Sequence, residues 1–251
     1  MDRLLVATLN ILNLADRWHE RLPLILADMA ALQPDVMGLQ EVVYPMQQDR
    51  LIGAAGEAHY TAVRGWAGRP EYGNAMLVKA TLAFEGYERL DLGIGRSAHR
   101  VRVALPGGAR LLLAVTHLHH PPAAGAERLA QVEALVAWLA SSPEHDAMAV
   151  VGDFNANPQE PAYARMREAG FRSAYRERHG AEPAVTWPSG LQAPAMDTDG
   201  EPGCLDYIWL RGAVEVDDAM LTFNRPDVDD PTLYPSDHFG LAARIRVAVA
   251  A

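Results

Sequence analysis

The chain has 251 residues, a formal net charge of −10 and an apolar fraction of 49%. This length and apolar fraction predict one domain over residues 1–251 with a sizeable core. The acidic balance disfavours a broad basic surface for duplex nucleic acid, and no apolar stretch approaches the roughly 20 residues that a membrane-spanning helix needs.

The cysteine content and the first residues of the sequence indicate the cellular compartment. Cys204 is the only cysteine, so an intramolecular disulfide is impossible, which fits a reducing environment. The residues after Met1 lead straight into an apolar run and lack the basic and apolar regions of a secretion signal. We therefore expect a cytoplasmic protein, and we expect a monomer.

The first elements form a predicted β-α-β unit. Residues 4–12 predict a buried strand, and apolar residues at helical spacing over 22–32 predict a helix that ends before Pro34. Residues 35–42 predict the next strand, which has a polar carboxyl end.

The rest of the chain repeats this order. Four strands are predicted at 60–63, 74–78, 101–105 and 110–116, followed by an amphipathic helix over 129–139. An apolar strand at 147–151 and a short helix at 161–168 come next, and closing strands follow at 204–210, 214–222 and 239–249. A β-α-β unit followed by a meander, occurring twice, predicts an α/β (α+β) fold with two mixed sheets packed face to face and helices outside.

Two polar residues stand near the ends of the first two strands. Glu41 is a candidate carboxylate ligand for a hard cation such as Mg²⁺, although a solvated strand end is the alternative. Asn10 could support that ion or its waters, but asparagine is also common in turns.

The string Gly-Asp-Phe-Asn at 152–155 follows an apolar strand. On an extended chain Asp153 and Asn155 would point the same way. Asp153 could then hold an attacking water while Asn155 donates to a phosphate oxygen. The alternative is an Asx-turn that caps the strand.

Ser-Asp-His at 236–238 precedes the last strand. His238 could act as a base or contact a phosphate, and Asp237 could bind a metal. Asp206 lies inside an apolar strand and needs a partner. We expect this partner to be His238, oriented and raised in pKa by the carboxylate, with Arg211 as the alternative.

Three histidines cluster at 117–120. A transition-metal site is disfavoured because neither a nearby cysteine nor a metalloprotease-type partner accompanies them. We expect His117 to reach the phosphate, and His119 or His120 to line the rim of the pocket or lie on the surface.

Together these motifs resemble the endonuclease/exonuclease/phosphatase superfamily of deoxyribonuclease I-like enzymes. The matching strings, in the family's order, are Thr-Leu-Asn at 8–10, Leu-Gln-Glu at 39–41, Gly-Asn-Ala-Met-Leu at 73–77, Thr-His-Leu at 116–118, Gly-Asp-Phe-Asn at 152–155, Thr-Trp-Pro at 186–188, Leu-Asp-Tyr-Ile at 205–208 and Ser-Asp-His at 236–238. The similarity covers nearly the whole chain.

The resemblance implies a four-layer α/β/β/α sandwich and a phosphoesterase that depends on Mg²⁺ or Mn²⁺. It implies a metal site at Glu41, supported by Asn10 and Asp237. The implied catalytic residues are Asp153, Asn155, His238, His117 and Asp206.

Substrate class is less constrained. The loop 188–203 carries Asp197, Asp199 and Glu201, and an acidic loop near the pocket would repel a polyanion. Lys79 is the only lysine, and the arginines at 96, 100 and 102 are the best basic candidates, although a solvated face is the favoured interpretation. Nucleic acid is thus possible but not favoured beside a small-molecule or lipid-headgroup ester.

Two other classes stay open. One is a catalytically inactive module of the same fold that binds a phosphorylated ligand. The other is a calcineurin-like dinuclear phosphatase, which is disfavoured because its early Asp-x-His and its Gly-Asn-His-Asp/Glu strings are missing.

Overall fold

The computed structural model describes residues 1–43, 48–55, 59–65, 73–194, 196 and 198–250. In chain order the elements are β1 (Asp2–Asn10), α1 (Trp18–Leu32), β2 (Val36–Val42), α2 (Gln48–Gly53), β3 (Tyr60–Gly65), β4 (Gly73–Lys79), β5 (Ala83–Gly93), β6 (Arg96–Ala104), β7 (Arg110–His117), α3 (Gly125–Ala140), β8 (Ala147–Asp153), α4 (Pro161–Glu168), β9 (Arg172–Ser173), α5 (Ala174–His179), β10 (Asp206–Gly212), β11 (Val214–Thr222) and β12 (Gly240–Val247).

The strands form two six-stranded mixed sheets. The first sheet has the order β11-β12-β1-β2-β4-β3, and the second has the order β5-β6-β7-β8-β10-β9. In each sheet one parallel pair, β1 with β2 or β7 with β8, lies beside antiparallel neighbours. The expectation of two mixed sheets is therefore confirmed.

Alternating side chains along the central strands fill three apolar layers. In β1, Leu4 and Val6 pack between the sheets, whereas Leu5, Ala7 and Leu9 pack outward. The outward layer of the first sheet is covered by Ile25 and Met29 of α1 and Ile52 of α2, and that of the second sheet by residues of α3 and α4. This arrangement is the four-layer α/β/β/α sandwich that the motifs implied.

Some elements differ from the sequence-based expectation. Strand β5 was not predicted because its outer residues are polar and exposed, so it lacks a continuous apolar run. The short helices α2 and α5 were also missed, since six residues give little helical periodicity. No helix in the described part of the chain has the length and hydropathy to cross a membrane.

The topology brings particular strand ends to one edge of the sandwich. Asn10 pairs with Gln40 across the parallel β1–β2 ladder, and His117 pairs with Asp153 across β7–β8. Asp206 begins β10 directly opposite Asp153, because those two strands run antiparallel. Polar residues scattered along the sequence therefore converge at a single edge.

Candidate active site

A cleft of about 400 Å³ opens at this edge. Six of the eight predicted site residues line it, namely Glu41, His117, Asp153, Asn155, Asp237 and His238. The other two lie directly behind them: Asn10 donates to the carboxylates of Glu41 and Asp153, and Asp206 contacts His238. The structure thus places all eight residues in or directly behind one cleft.

Asp153 occupies the centre of this group. Its Oδ2 atom accepts from Asn10 Nδ2 at 3.1 Å and lies 3.3 Å from His117 Nε2. Burial raises the pKa of Asp153 to about 7, and the nearby Asp206 carboxylate adds to that effect. A buried carboxyl group with a near-neutral pKa is suited to accepting a proton at physiological pH.

Gly152 allows Asp153 to reach this position. Its φ angle is +149°, and a Cβ atom added there would lie 2.0 Å from the carbonyl oxygen of Thr116. Any larger residue would push β7 and β8 apart at the point where their ends carry His117 and Asp153.

The geometric argument used for Asn155 was wrong. Strand β8 ends at Asp153, and Asn155 has a left-handed backbone with φ of 47°, so the chain is not extended there. The backbone N–H of Asn155 donates to Asp153 Oδ1 at 2.8 Å, which is the Asx-turn given above as the alternative. The turn itself still brings the Asn155 amide to the cleft, within 3.3 Å of Asp153 Oδ2.

His238 is held by Asp206. Its Nδ1 atom lies 2.9 Å from Asp206 Oδ2, and both side chains are buried. Burial alone lowers the pKa of His238, but the carboxylates of Asp206 and Asp153 outweigh it and raise that pKa well above its usual range. Arg211, the alternative partner of Asp206, instead packs over the Phe171 ring.

Glu41 sits on a local irregularity of β2. The register shifts between Gln40 and Val42, and Glu41 itself has φ of 59°. Such a bulge redirects a side chain at a strand end. Here it brings the two carboxylate oxygens of Glu41 to the amides of Asn10 (3.2 Å) and Asn13 (2.7 Å). Burial and the neighbouring Asp237 raise the pKa of Glu41.

Two sets of groups in the described chain could hold a cation. Glu41 and Asp237 offer carboxylate oxygens beside the Asn10 amide, and their mutual repulsion is the kind that a cation relieves. Asp153, Asp206 and His238 also offer three ligand atoms within 4.8 Å of one another. In this second set, Asp206 Oδ2 and His238 Nδ1 already lie 2.9 Å apart, so a metal could use only the other atoms of these two side chains without breaking that buried contact.

Sequence reasoning missed several residues that build the site. Arg21 is fully buried and donates to backbone carbonyls of the loop 11–16 and to Pro235, next to Ser236 and Asp237. In α1, Arg21 lies three residues after Trp18 and four before Ile25, so it is on the buried face of the helix. A charged residue on that face was the sequence signal that could have identified it. No sequence pattern marked Asn13 as a site residue.

The other basic and histidine candidates lie in different parts of the structure. Arg96 lines the cleft and contacts His120, which also lines it, whereas His119 is peripheral. The three histidines do not form a ligand cluster within the described residues. The solvated face expected for the arginines of β6 was wrong for Arg96 and Arg100, which are both buried. Arg100 packs against Trp138 and pairs with Glu88.

The acidic loop contributes to the cleft wall. Asp199 and Glu201 line the cleft. Asp197 lies outside the described residues.

Comparison with known proteins identifies the family. Residues 7–238 match the Endonuclease/Exonuclease/phosphatase family. Nocturnin from Xenopus laevis is 26% identical over 254 residues, which cover 90% of this chain and 64% of that protein, and nocturnin from Rattus norvegicus is 25% identical with 90% and 58% coverage. The chain therefore spans about three fifths of the length of the curated relatives it matches.

Solved structures share the fold. The D. rerio TDP2 structure with a single-strand DNA product has a TM-score of 0.80 and 19% identity, with 98% of this chain and 100% of that chain covered. The human nocturnin catalytic domain with a bound sulfate anion has a TM-score of 0.78 and 24% identity, with 98% and 94% covered. As its motifs predicted, the chain belongs to the endonuclease/exonuclease/phosphatase family.

Proposed function

We propose that this chain hydrolyses phosphate esters by a divalent-cation-dependent attack of water, with Mg²⁺ or Mn²⁺ as the cation. The observation that carries the proposal is the convergence of acids, amides and imidazoles from six strand ends on one cleft. Phosphodiesters and phosphomonoesters are both candidate substrates.

The proposed cation ligands are Glu41 and Asp237, with Asn10 in support. These are oxygen donors, which suit Mg²⁺ and Mn²⁺ better than softer metals. Asp237 is fixed by the Trp187 indole, whose Nε1 donates to its Oδ2 at 3.2 Å. A bound divalent cation would neutralise charge on the phosphoryl oxygens.

Asp153 is the proposed acceptor of the proton from the attacking water. Burial raises its pKa, which makes its ionised carboxylate a stronger proton acceptor than that of an ordinary aspartate, and hydrogen bonds from Asn10 and Asn155 fix that carboxylate. Burial lowers the pKa of His117 well below its usual range. A neutral His117 can therefore orient Asp153 without competing for the proton.

His238 and Asn155 are the proposed donors to the phosphoryl group. The Asp206 carboxylate accepts from His238 Nδ1, so the other ring nitrogen, Nε2, which lies 3.7 Å from Asp153 Oδ2 at the cleft face, is the one that would donate to a phosphoryl oxygen. Donors that are already positioned where charge develops generally contribute the largest single part of catalysis.

The acidic cleft favours a small phosphate ester over a nucleic acid, although the D. rerio TDP2 structure holds a single-strand DNA product. A cytoplasmic location and a monomeric state remain our predictions.

A substrate panel tests the proposal. Purified protein would be assayed with Mg²⁺ or Mn²⁺, with and without EDTA, on bis-p-nitrophenyl phosphate, phosphocholine esters, plasmid DNA and single-stranded DNA or RNA. We expect hydrolysis that EDTA abolishes and fresh Mg²⁺ or Mn²⁺ restores. Hydrolysis that persists in EDTA would contradict the cation requirement, and inactivity on every ester would favour a non-catalytic phospho-ligand-binding module.

A paired variant assigns the cation site. Glu41→Ala should raise the cation concentration that gives half-maximal activity by at least about tenfold, because it removes a charged oxygen ligand. The control is Glu133→Gln, which changes an exposed acid of α3 and should leave that concentration unaltered. An unchanged cation requirement in Glu41→Ala would contradict the assignment.

A further inference from the structure

Glu41, the proposed cation ligand, has a backbone conformation that its surroundings must hold. Its φ of 59° lies in the left-handed region, which residues other than glycine and asparagine seldom adopt. Gln40 and Val42 pair with β4, but Glu41 between them does not, so the strand ladder does not fix it. Such conformations persist where neighbouring groups determine them, and they cluster at functional sites. The groups around Glu41 therefore bear on how it binds a cation.

Asn13 makes the shorter of the two amide contacts to the Glu41 carboxylate. Its Nδ2 atom donates to Glu41 Oε2 at 2.7 Å, whereas Asn10 Nδ2 donates to Oε1 at 3.2 Å. Asn10 also donates to Asp153, but among the described residues the Asn13 amide donates to Glu41 alone. A hydrogen bond to an ionised carboxylate is roughly twice as strong as one between neutral groups. The carboxylate therefore cannot turn without losing a strong contact.

The loop around Asn13 holds its amide in this position. Asn13 Oδ1 accepts from the backbone N–H of Ala15 at 2.8 Å, which forms an Asx turn. The buried Gln48 side chain donates to the carbonyl of Asn13 at 2.8 Å and accepts from the backbone N–H of Val43 at 2.6 Å. Gln48 thus ties the loop that carries Asn13 to the chain just after Glu41.

We propose that Asn13 is a positioning residue, which fixes the Glu41 carboxylate in the orientation in which it binds the cation. This inference rests on the proposed function and adds a residue to its cation site. Asn13 lines the cleft with Glu41 and acts through that carboxylate, because its own Oδ1 and Nδ2 atoms are both engaged. Groups that orient metal ligands generally contribute about 10–100-fold to metal affinity.

The test separates the contact to Glu41 from the turn. Asn13→Ser keeps an oxygen that can accept from the Ala15 N–H, but serine is too short to reach Glu41. The control is Asn157→Ser, because Asn157 also lines the cleft and closes an Asx turn, with the N–H of Gln159 at 3.0 Å, without contacting Glu41. The quantity measured is the dissociation constant for Mn²⁺ in the substrate-free protein, from the electron paramagnetic resonance signal of free Mn²⁺.

We expect Asn13→Ser to raise this dissociation constant about tenfold and Asn157→Ser to change it by less than about twofold. A second background tests whether Asn13 acts through Glu41. Glu41→Asp keeps a carboxylate but shortens it by one methylene and withdraws it from Asn13, so Asn13→Ser should have little further effect in that background.

A dissociation constant that is unchanged or lower in Asn13→Ser would overturn the inference and leave the proposed function intact. An equal rise in Asn157→Ser, or a tenfold effect of Asn13→Ser that persists beside Glu41→Asp, would overturn it in the same way. Wild-type protein that does not bind Mn²⁺ would overturn the cation requirement of the proposed function and this inference with it.

Discussion

Replacing Arg21 by methionine should destabilise the protein although Arg21 forms no part of the chemistry. Its guanidinium group donates to the carbonyls of Ile11 (2.8 Å), Leu12 (2.9 Å) and Pro235 (3.0 Å), and the side chain is fully buried. Methionine fills similar space but donates nothing. Each carbonyl left buried without a donor costs about 1–3 kcal/mol, and partial opening of the loop to water limits the total. We expect a loss of about 3–5 kcal/mol in the free energy of unfolding.

The assay is urea unfolding at pH 7, read with and without Mg²⁺. The control is Arg246→Met, because Arg246 also makes close ion pairs, with Glu215 at 2.8 Å and Asp217 at 2.7 Å, yet its side chain is 36% exposed. Exposed pairs contribute roughly 0–1 kcal/mol, so this variant should unfold close to wild type. A loss below about 1 kcal/mol in Arg21→Met, or equal losses in both variants, would refute the reasoning that burial decides the difference.

Three further outcomes are expected. Asp153→Asn should keep its circular dichroism spectrum and lose turnover by at least about a hundredfold, and near wild-type turnover would contradict its proposed role. Gly152→Ala should lower the free energy of unfolding by more than about 3 kcal/mol, whereas Gly93→Ala, whose added Cβ has open space, should cost about 1 kcal/mol; equal costs would contradict the close β7–β8 approach. Burial lowers the pKa of His99 to about 4, below the 6.5 expected when unfolded, so protonation of the unfolded state should remove about 2 kcal/mol of stability between pH 7 and pH 5. Denaturant titrations at the two pH values should show a smaller loss in His99→Gln, and an equal loss would contradict this assignment.

Strong apolar periodicity made most of the fold predictable from the sequence. The strand at 214–222 and the helix at 161–168 were predicted with the bounds that the structure shows. Strand β5 was not predictable in this way because it lies at the edge of its sheet with polar residues exposed, and such strands depend on pairing with a neighbour.

Each predicted site residue belongs to a short polar string near the end of a strand. The topology brings those strand ends together. Their local conformations were less predictable. Asn155 and Glu41 both have positive φ, which a reading of regular strand geometry does not anticipate. Arg21 was missed because its function is to satisfy carbonyls of loops distant in sequence, and no local motif encodes such contacts.

The central claim is that Glu41, Asp153 and His238 act on one phosphoryl group. It is tested most directly by a crystal structure of the protein with Mn²⁺ and inorganic phosphate. We predict an anomalous Mn²⁺ peak at the Glu41 carboxylate and a phosphate whose oxygens lie within hydrogen-bond distance of Asn155 and His238. Mn²⁺ or phosphate bound reproducibly outside this cleft, with the cleft empty, would contradict the claim.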